Sequence, residues 1–301
     1  MLRPSPVAGG GAGQRDVVLG YATGYGVEHV EAFVRSLRAV YSGGVALFVH
    51  KDPALLAFLA AHDVEAVVVT PSDAWTPQPV VARFSAYERY MTARRDLRHV
   101  LMTDVRDVVF QGEPFAPAPT GLEVFVEYET GRMADHAFQI KHLRALAGEA
   151  LAEQLEDRPC ICAGTIVGPA EEAARLCRLI LTLGAIPRSA VGGGFGVDQA
   201  SLALAVGYGL IPAQVQDNYR RVATIGMASD GVGLKDGLIV NPNGGVSPVV
   251  HQYDRCPELV EAMRARWSQA LPDRVAKGPG GWTRWRRKTA ASVERRLPDI
   301  R

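Results

Sequence analysis

The sequence predicts an α/β fold with a mostly parallel central sheet, flanked by helices and carrying a small antiparallel element. Three observations predict it. Short apolar runs alternate with helix-period segments from residue 16 onward, the pattern of parallel strands joined by crossover helices. The runs are continuously apolar rather than alternating, as strands buried on both faces require. Two of the runs end in the loops YATGYG and TDVRD, at the strand ends where open parallel sheets place their ligands.

The elements follow in order. Residues 16–20 form a first buried strand and hand over to the loop YATGYG at 21–26. Residues 27–41 carry Val30, Phe33, Val34, Leu37 and Tyr41, the stripe of an amphipathic helix. Gly43-Gly44 ends it, 45–49 is a second strand, 53–62 a helix spaced by Leu55, Phe58 and Leu59, and 66–69 a third strand. Residues 80–98 read as a helix with Arg83, Tyr87 and Tyr90 on related faces. It leads into HVLMTDVRDVVF at 99–110, where an apolar run stops at Asp104-Val105-Arg106-Asp107 and another begins.

Beyond this point 123–128 is a strand and 144–155 a helix rich in Ala, Leu and Glu. Residues 160–168, CICAGTIVG, form a strand interrupted by Ala163-Gly164, and interior glycine often marks close approach by a ligand or another backbone. Residues 171–183 form a helix. A glycine-rich loop at 192–196 runs into Val197-Asp198-Gln199, with 200–206 helical. NPNGG at 241–245 is a turn, and a short strand at 249–250 delivers HQYDR at 251–255. The resulting organisation is a disordered segment at 1–15, one domain at 16–270 and a tail at 271–301.

Composition narrows the class. The chain is 48% apolar and 22% charged with net charge +1, so it has the material for a core and no global attraction for nucleic acid. No apolar run reaches the roughly 18 residues of a membrane span. The N-terminal stretch lacks the apolar segment of a secretory signal, and the four cysteines make no disulfide framework, so buried thiols in a reducing cytoplasm are expected. The tail holds nine Lys or Arg against three acidic residues, with Trp282 and Trp285 among them. It reads either as a packed C-terminal helix or as a weak contact for an anionic membrane surface.

The chemistry-bearing residues concentrate in the turns. Two carboxylates three positions apart at a strand end can ligate Mg²⁺ or Mn²⁺ together with substrate phosphate oxygens. The same residues also suit a solvated acidic turn with Arg106 as counter-ion. Asp198 could act on a ligand or cap the following helix. His251 could be a ligand or a packed histidine.

In sequence order, YATGY, TDVRDVVFQ, CAGTIVG with GVDQA, and HQYDR resemble glycosyltransferases of the GT-A (Rossmann-like) fold, notably bacterial ones with a D-x-R-D variant of the D-x-D motif. The similarity spans roughly residues 16 to 256. It implies a metal-dependent, hexosyltransferase-like enzyme that moves a sugar from a UDP- or GDP-type donor to an acceptor hydroxyl, with the acceptor unnamed and no nucleic acid partner. By the same resemblance Asp104, Asp107 and His251 hold Mn²⁺ or Mg²⁺, although Asp104 and Asp107 stand one residue further apart than the usual pair. Ala22, Thr23 and Tyr25 meet the nucleotide, and Arg83 reaches the donor phosphate or sugar. Arg106 touches the diphosphate or pairs with an acid. Ala163, Gly164 and Thr165 let the donor sugar lie against the backbone. Asp198 and Gln199 stand near the anomeric carbon. The late histidine favours retention of configuration, while Glu127, Glu129 and Asp230 are the acids an inverting reaction could draw on. The alternative is a non-catalytic protein of the same fold that binds a nucleotide-sugar or a partner.

Overall fold

The computed structural model describes residues 14–70, 77–127, 131–186, 191–226 and 229–268. The basic tail, most of the N-terminal segment and Glu129 lie outside the described residues. The chain is a mixed α/β structure built on a seven-stranded sheet in the order β3-β2-β1-β4-β7-β6-β8. The strands are β1 (Arg15–Tyr21), β2 (Gly44–Val49), β3 (Glu65–Val68), β4 (Leu97–Thr103), β6 (Glu123–Val126), β7 (Ile161–Pro169) and β8 (Gln214–Gln216). Only β7 runs against its neighbours, and all the other pairings are parallel.

Two layers cover this sheet because alternate strand residues face opposite sides. Val17 and Leu19 of β1 join a cluster with Phe84 and Tyr87 of helix α3 (Pro79–Thr92), the apolar face of α6 (Ala170–Ile180), and Leu202 of α7 (Val197–Gly207). Val18 faces the other way, toward Val30, Phe33, Val34 and Leu37 of α1 (Val27–Val40) and Leu55 and Leu59 of α2 (Pro53–Ala61). Each of these large side chains is 0–1% exposed, and burial of one contributes roughly 1.5–3 kcal/mol.

A second, smaller sheet stands against the α1 side, in the order β5-β12-β9, with β5 (Val108–Phe110), β9 (Val222–Thr224) and β12 (Val249–His251). The Phe33 and Phe110 rings meet edge to face at 5.1 Å between centroids. A two-stranded ladder, β10 (Gly233–Lys235) with β11 (Leu238–Val240), supplies a further antiparallel element. Helix α8 (Pro257–Trp267) closes the described chain against α1.

Several boundaries differ from the sequence reading. Arg15 already belongs to β1 rather than to the N-terminal segment, because its N–H pairs with Asp96 O at 2.8 Å. The helix read at 80–98 stops at Thr92, since β4 starts at Leu97. The helix read at 144–155 is two helices, α4 (Ala137–Ala147) and α5 (Glu149–Glu153), broken at Gly148, whose φ of 84° only glycine adopts readily. Asp198 and Gln199 lie inside α7 rather than before it, because Gly196 in a left-handed conformation already ends the loop. The strands β8, β9, β10 and β11 and helix α8 have no counterpart in the sequence reading. No helix among the described residues is long and apolar enough to cross a membrane.

Asp16 ties the starts of β1 and β4 together. Its carboxylate accepts from Arg98 Nε at 2.9 Å and Nη2 at 2.6 Å, from the His99 amide at 3.2 Å, and lies 3.0 Å from His99 Nδ1. Burial pushes this carboxyl upward, but Arg98 and His99 outweigh it and hold it below the usual range. A folded value below the unfolded one stabilises the fold fully at neutral pH and loses that contribution as pH falls through the lower value. Asp16→Asn should therefore lower stability at pH 7 by about 2 kcal/mol and flatten its decline under acid. Urea unfolding of both proteins across the acid range measures this.

Candidate metal centre

The acidic turn lies where the two sheets meet. β4 ends at Thr103, and the Asp104 N–H continues the pairing with β7 by donating to Gly164 O at 2.8 Å. The chain then crosses to the small sheet and restarts as β5 at Val108. Because β12 pairs with β5 in antiparallel register, His251 sits opposite Val108. The Gln252 N–H closes the approach by donating to Asp107 O at 2.8 Å. Strand pairing thus joins residues almost 150 positions apart.

Asp104, Asp107 and His251 each offer a ligand atom, and these atoms lie within 4.8 Å of one another, the one such group among the described residues. His251 is 1% exposed, and its Nε2 faces Asp104 Oδ2 at 3.4 Å and Asp107 Oδ2 at 3.8 Å. That buried nitrogen has no hydrogen-bond partner. Two carboxylates and an imidazole form a donor set suited to Mn²⁺ or Mg²⁺, so the residues fit the expected ion. On the other side of the ring, Nδ1 lies 3.8 Å from Cys162 Sγ, a neighbour that orients the imidazole.

The electrostatics divide the two aspartates. Burial and the nearby Asp104 and Asp254 push the Asp107 carboxyl up to about 6, against the pull of His251 and Arg106. Burial acts on Asp104 too, but Arg83 and His251 overcome it and hold this carboxyl far below the usual range. Burial would lower His251, yet Cys162, Asp104 and Asp107 raise it well above the ordinary imidazole value. Cation binding displaces protons from such a group, because ligands must be deprotonated.

Arg83 is the other pole of the site. It is 8% exposed in its side chain and pairs with Asp104 Oδ1 through Nη1. Its Nη2 donates to Ala163 O at 3.0 Å and Asp198 Oδ2 at 2.9 Å. Asp104 therefore offers one oxygen to Arg83 and turns the other toward His251. Burial works against the guanidinium's charge, but Asp104 and Asp198 more than restore it. Burial raises the Asp198 carboxyl despite Arg83.

Gly164 stands at a break in the pairing of β6 with β7. Val124 pairs with Ile166 and the next residue, Phe125, with Cys162, so Ala163, Gly164 and Thr165 have no β6 partner. Such irregularities often re-aim side chains near functional sites. A Cβ on Gly164 would stand 2.3 Å from His251 Cε1 and 2.8 Å from Asp104 Oδ2. Thr165 is fully buried, and its Oγ1 has no hydrogen-bond partner.

The first loop lies beside this centre. Ala22 is fully buried, with its N–H bonded to Phe48 O at 2.7 Å and its carbonyl accepting from the Tyr25 N–H at 3.3 Å. Thr23 is partly exposed. Tyr25 stacks on His29 at 5.4 Å, and burial raises its phenol, with Arg106, Asp104 and Asp107 close enough to act on it. Arg106 pairs with Asp254 at 3.3 Å, which joins the turn to HQYDR.

Of the remaining acids, Asp230 is exposed, whereas Glu127 is buried at the end of β6 and bonded to Gln199. The sequence reading missed Cys162 and Asp254 as neighbours of the metal group. Their signal was present in the motifs CAGT and HQYDR, but pairing across elements reveals it.

The fold and this cluster define a class: a mixed α/β protein with a candidate divalent-metal centre at the carboxyl edge of its main sheet. A scan against protein-family models finds no match, and a search of curated proteins finds none either. Gly164→Ala should weaken Mn²⁺ binding at least about tenfold while leaving the fold intact, as electron paramagnetic resonance of free Mn²⁺ would read.

Proposed function

We propose that this protein is a metal-dependent glycosyltransferase of the GT-A type, moving a sugar from a nucleoside-diphosphate donor to an acceptor hydroxyl with retention. The observation that carries the reading is the convergence of Asp104, Asp107 and His251 at one strand end, packed against the side-chain-free Gly164. Ligands of open α/β sheets bind at such carboxyl edges.

Asp104, Asp107 and His251 would hold Mn²⁺ or Mg²⁺, which supplies Lewis-acid neutralisation of the departing diphosphate. Ala22, Thr23 and Tyr25 border the nucleotide in this reading, and Arg106 braces the metal-bearing turn through Asp254. The glycosidic bond breaks with its electron pair leaving on the diphosphate. The acceptor oxygen bonds to the anomeric carbon, and its proton passes to the released diphosphate. Arg83 adds fixed positive charge and holds Asp198 toward the donor sugar, with Gln199 beside it and Ala163, Gly164 and Thr165 beneath.

The test is nucleoside-diphosphate release from a panel of UDP- and GDP-sugars. Release should require Mn²⁺ or Mg²⁺, stop in EDTA, and fall at least about 10²-fold in Asp104→Asn. Full activity in EDTA overturns the reading. Donor binding without turnover across a wide acceptor panel would instead identify a non-catalytic sugar-nucleotide-binding protein.

A further inference from the structure

Glu127 is a buried carboxylate with no role in the metal centre. It follows β6, and its N–H donates to Cys160 O at 2.7 Å. Its side chain is 4% exposed, and among the described residues its one ion-pair neighbour is His136, at 3.7 Å. Gln199 Nε2 donates to Glu127 Oε2 at 2.7 Å. The same nitrogen reaches Cys160 Sγ at 3.7 Å, and that thiol in turn donates to Glu127 at 3.7 Å. Burial and Glu127 raise Cys160, so it stays a thiol able to serve both.

This triangle decides which way the Gln199 amide points. The oxygen and nitrogen of a carboxamide are otherwise interchangeable in shape, and only hydrogen bonding distinguishes them. A carboxylate accepts and cannot donate, so the flipped amide would set two acceptor oxygens against each other inside the protein. Both N–H groups are therefore committed to Glu127 and Cys160, and no hydrogen bond among the described residues reaches Oε1. An anion behind the nitrogen also polarises the amide, which makes the oxygen a stronger acceptor.

Gln199 is the helical neighbour of Asp198, which is bonded to Arg83, and Arg83 is bonded to Asp104 of the metal group. We propose that Glu127 is a positioning residue that holds the Gln199 carboxamide with Oε1 turned to the donor sugar, facing the positive charge that builds at the anomeric carbon. The inference rests on the transferase reading and deepens it. It also removes Glu127 from the candidates for an acceptor base, since its side chain is closed to solvent and engaged by Gln199.

The test compares Glu127→Gln, Glu127→Asp, Gln199→Ala and the double variant E127Q/Q199A, using Mn²⁺ and the donor giving most release. A neutral amide at 127 can face Gln199 in either sense, and the shorter aspartate withdraws from Nε2. Each Glu127 variant should lower kcat about 10- to 100-fold while donor KM changes less than about twofold. The double variant should be no slower than Gln199→Ala alone, the signature of action through that residue.

Wild-type kcat in a folded Glu127 variant overturns the proposal. So does multiplication of the two losses in the double variant, or a loss confined to KM. Should Glu127→Gln not fold, Glu127→Asp carries the same comparison. If wild-type protein releases no nucleoside diphosphate from any donor, the transferase reading falls and this one with it. Turnover that ignores Glu127 removes this inference alone.

Discussion

The buried guanidinium of Arg83 is the interaction on which the arrangement of the site depends. From α3 it reaches Asp104 after β4, the Ala163 carbonyl in β7 and Asp198 in the first turn of α7. Four elements distant in sequence meet on one planar group. A guanidinium suits this position because its donors diverge in a fixed fork and its charge persists under burial. Without it, the buried Asp198 carboxylate would lose its cation and Asp104 one of its counter-charges, a costly arrangement. With it, Asp104 is divided between one oxygen on Arg83 and one facing His251.

A second constraint acts on the backbone. TDVRD is the crossing from the main sheet to the small one, so its two carboxylates cannot spread apart as they would in a solvent-exposed loop. β5 pairs with β12, and this pairing sets His251 beside the crossing. The Arg106–Asp254 pair and the Gln252–Asp107 hydrogen bond fasten the same junction from outside the metal group. Substitutions at Val109 in β5 or Val250 in β12 would therefore reach the cluster through register. The irregularity at 163–165 serves the junction from the opposite side, where the absence of a Cβ at Gly164 keeps the ring and carboxylate in place.

Much of the architecture was legible because it is local. The stripe Val30, Phe33, Val34, Leu37 has a helical period, and those residues are the buried face of α1. The continuous apolar runs became β1, β2 and β4, and the acidic turn stands at a carboxyl end as expected. Less legible were α5, cut off from α4 by a glycine, and the three-residue strands of the small sheet, which are too short to show a period. Asp198 and Gln199 were recognised as a pair. Their distinct fates, one on Arg83 and the other on Glu127, were not visible, because consecutive helical residues point about 100° apart and meet different neighbours.

The sequence by itself determined the alternation of β1 to β4 with α1 to α3, the carboxylate-bearing turn and the residue types able to bind a divalent ion, because period, burial and ligand chemistry are carried by short stretches. Only the tertiary structure decided that Asp104 keeps one oxygen for Arg83, that Arg106 faces Asp254, that Cys162 backs His251 and that Glu127 orients Gln199. These are contacts between different elements, 21 to 148 residues apart. They depend on sheet order and register, which side-chain period along one segment does not encode.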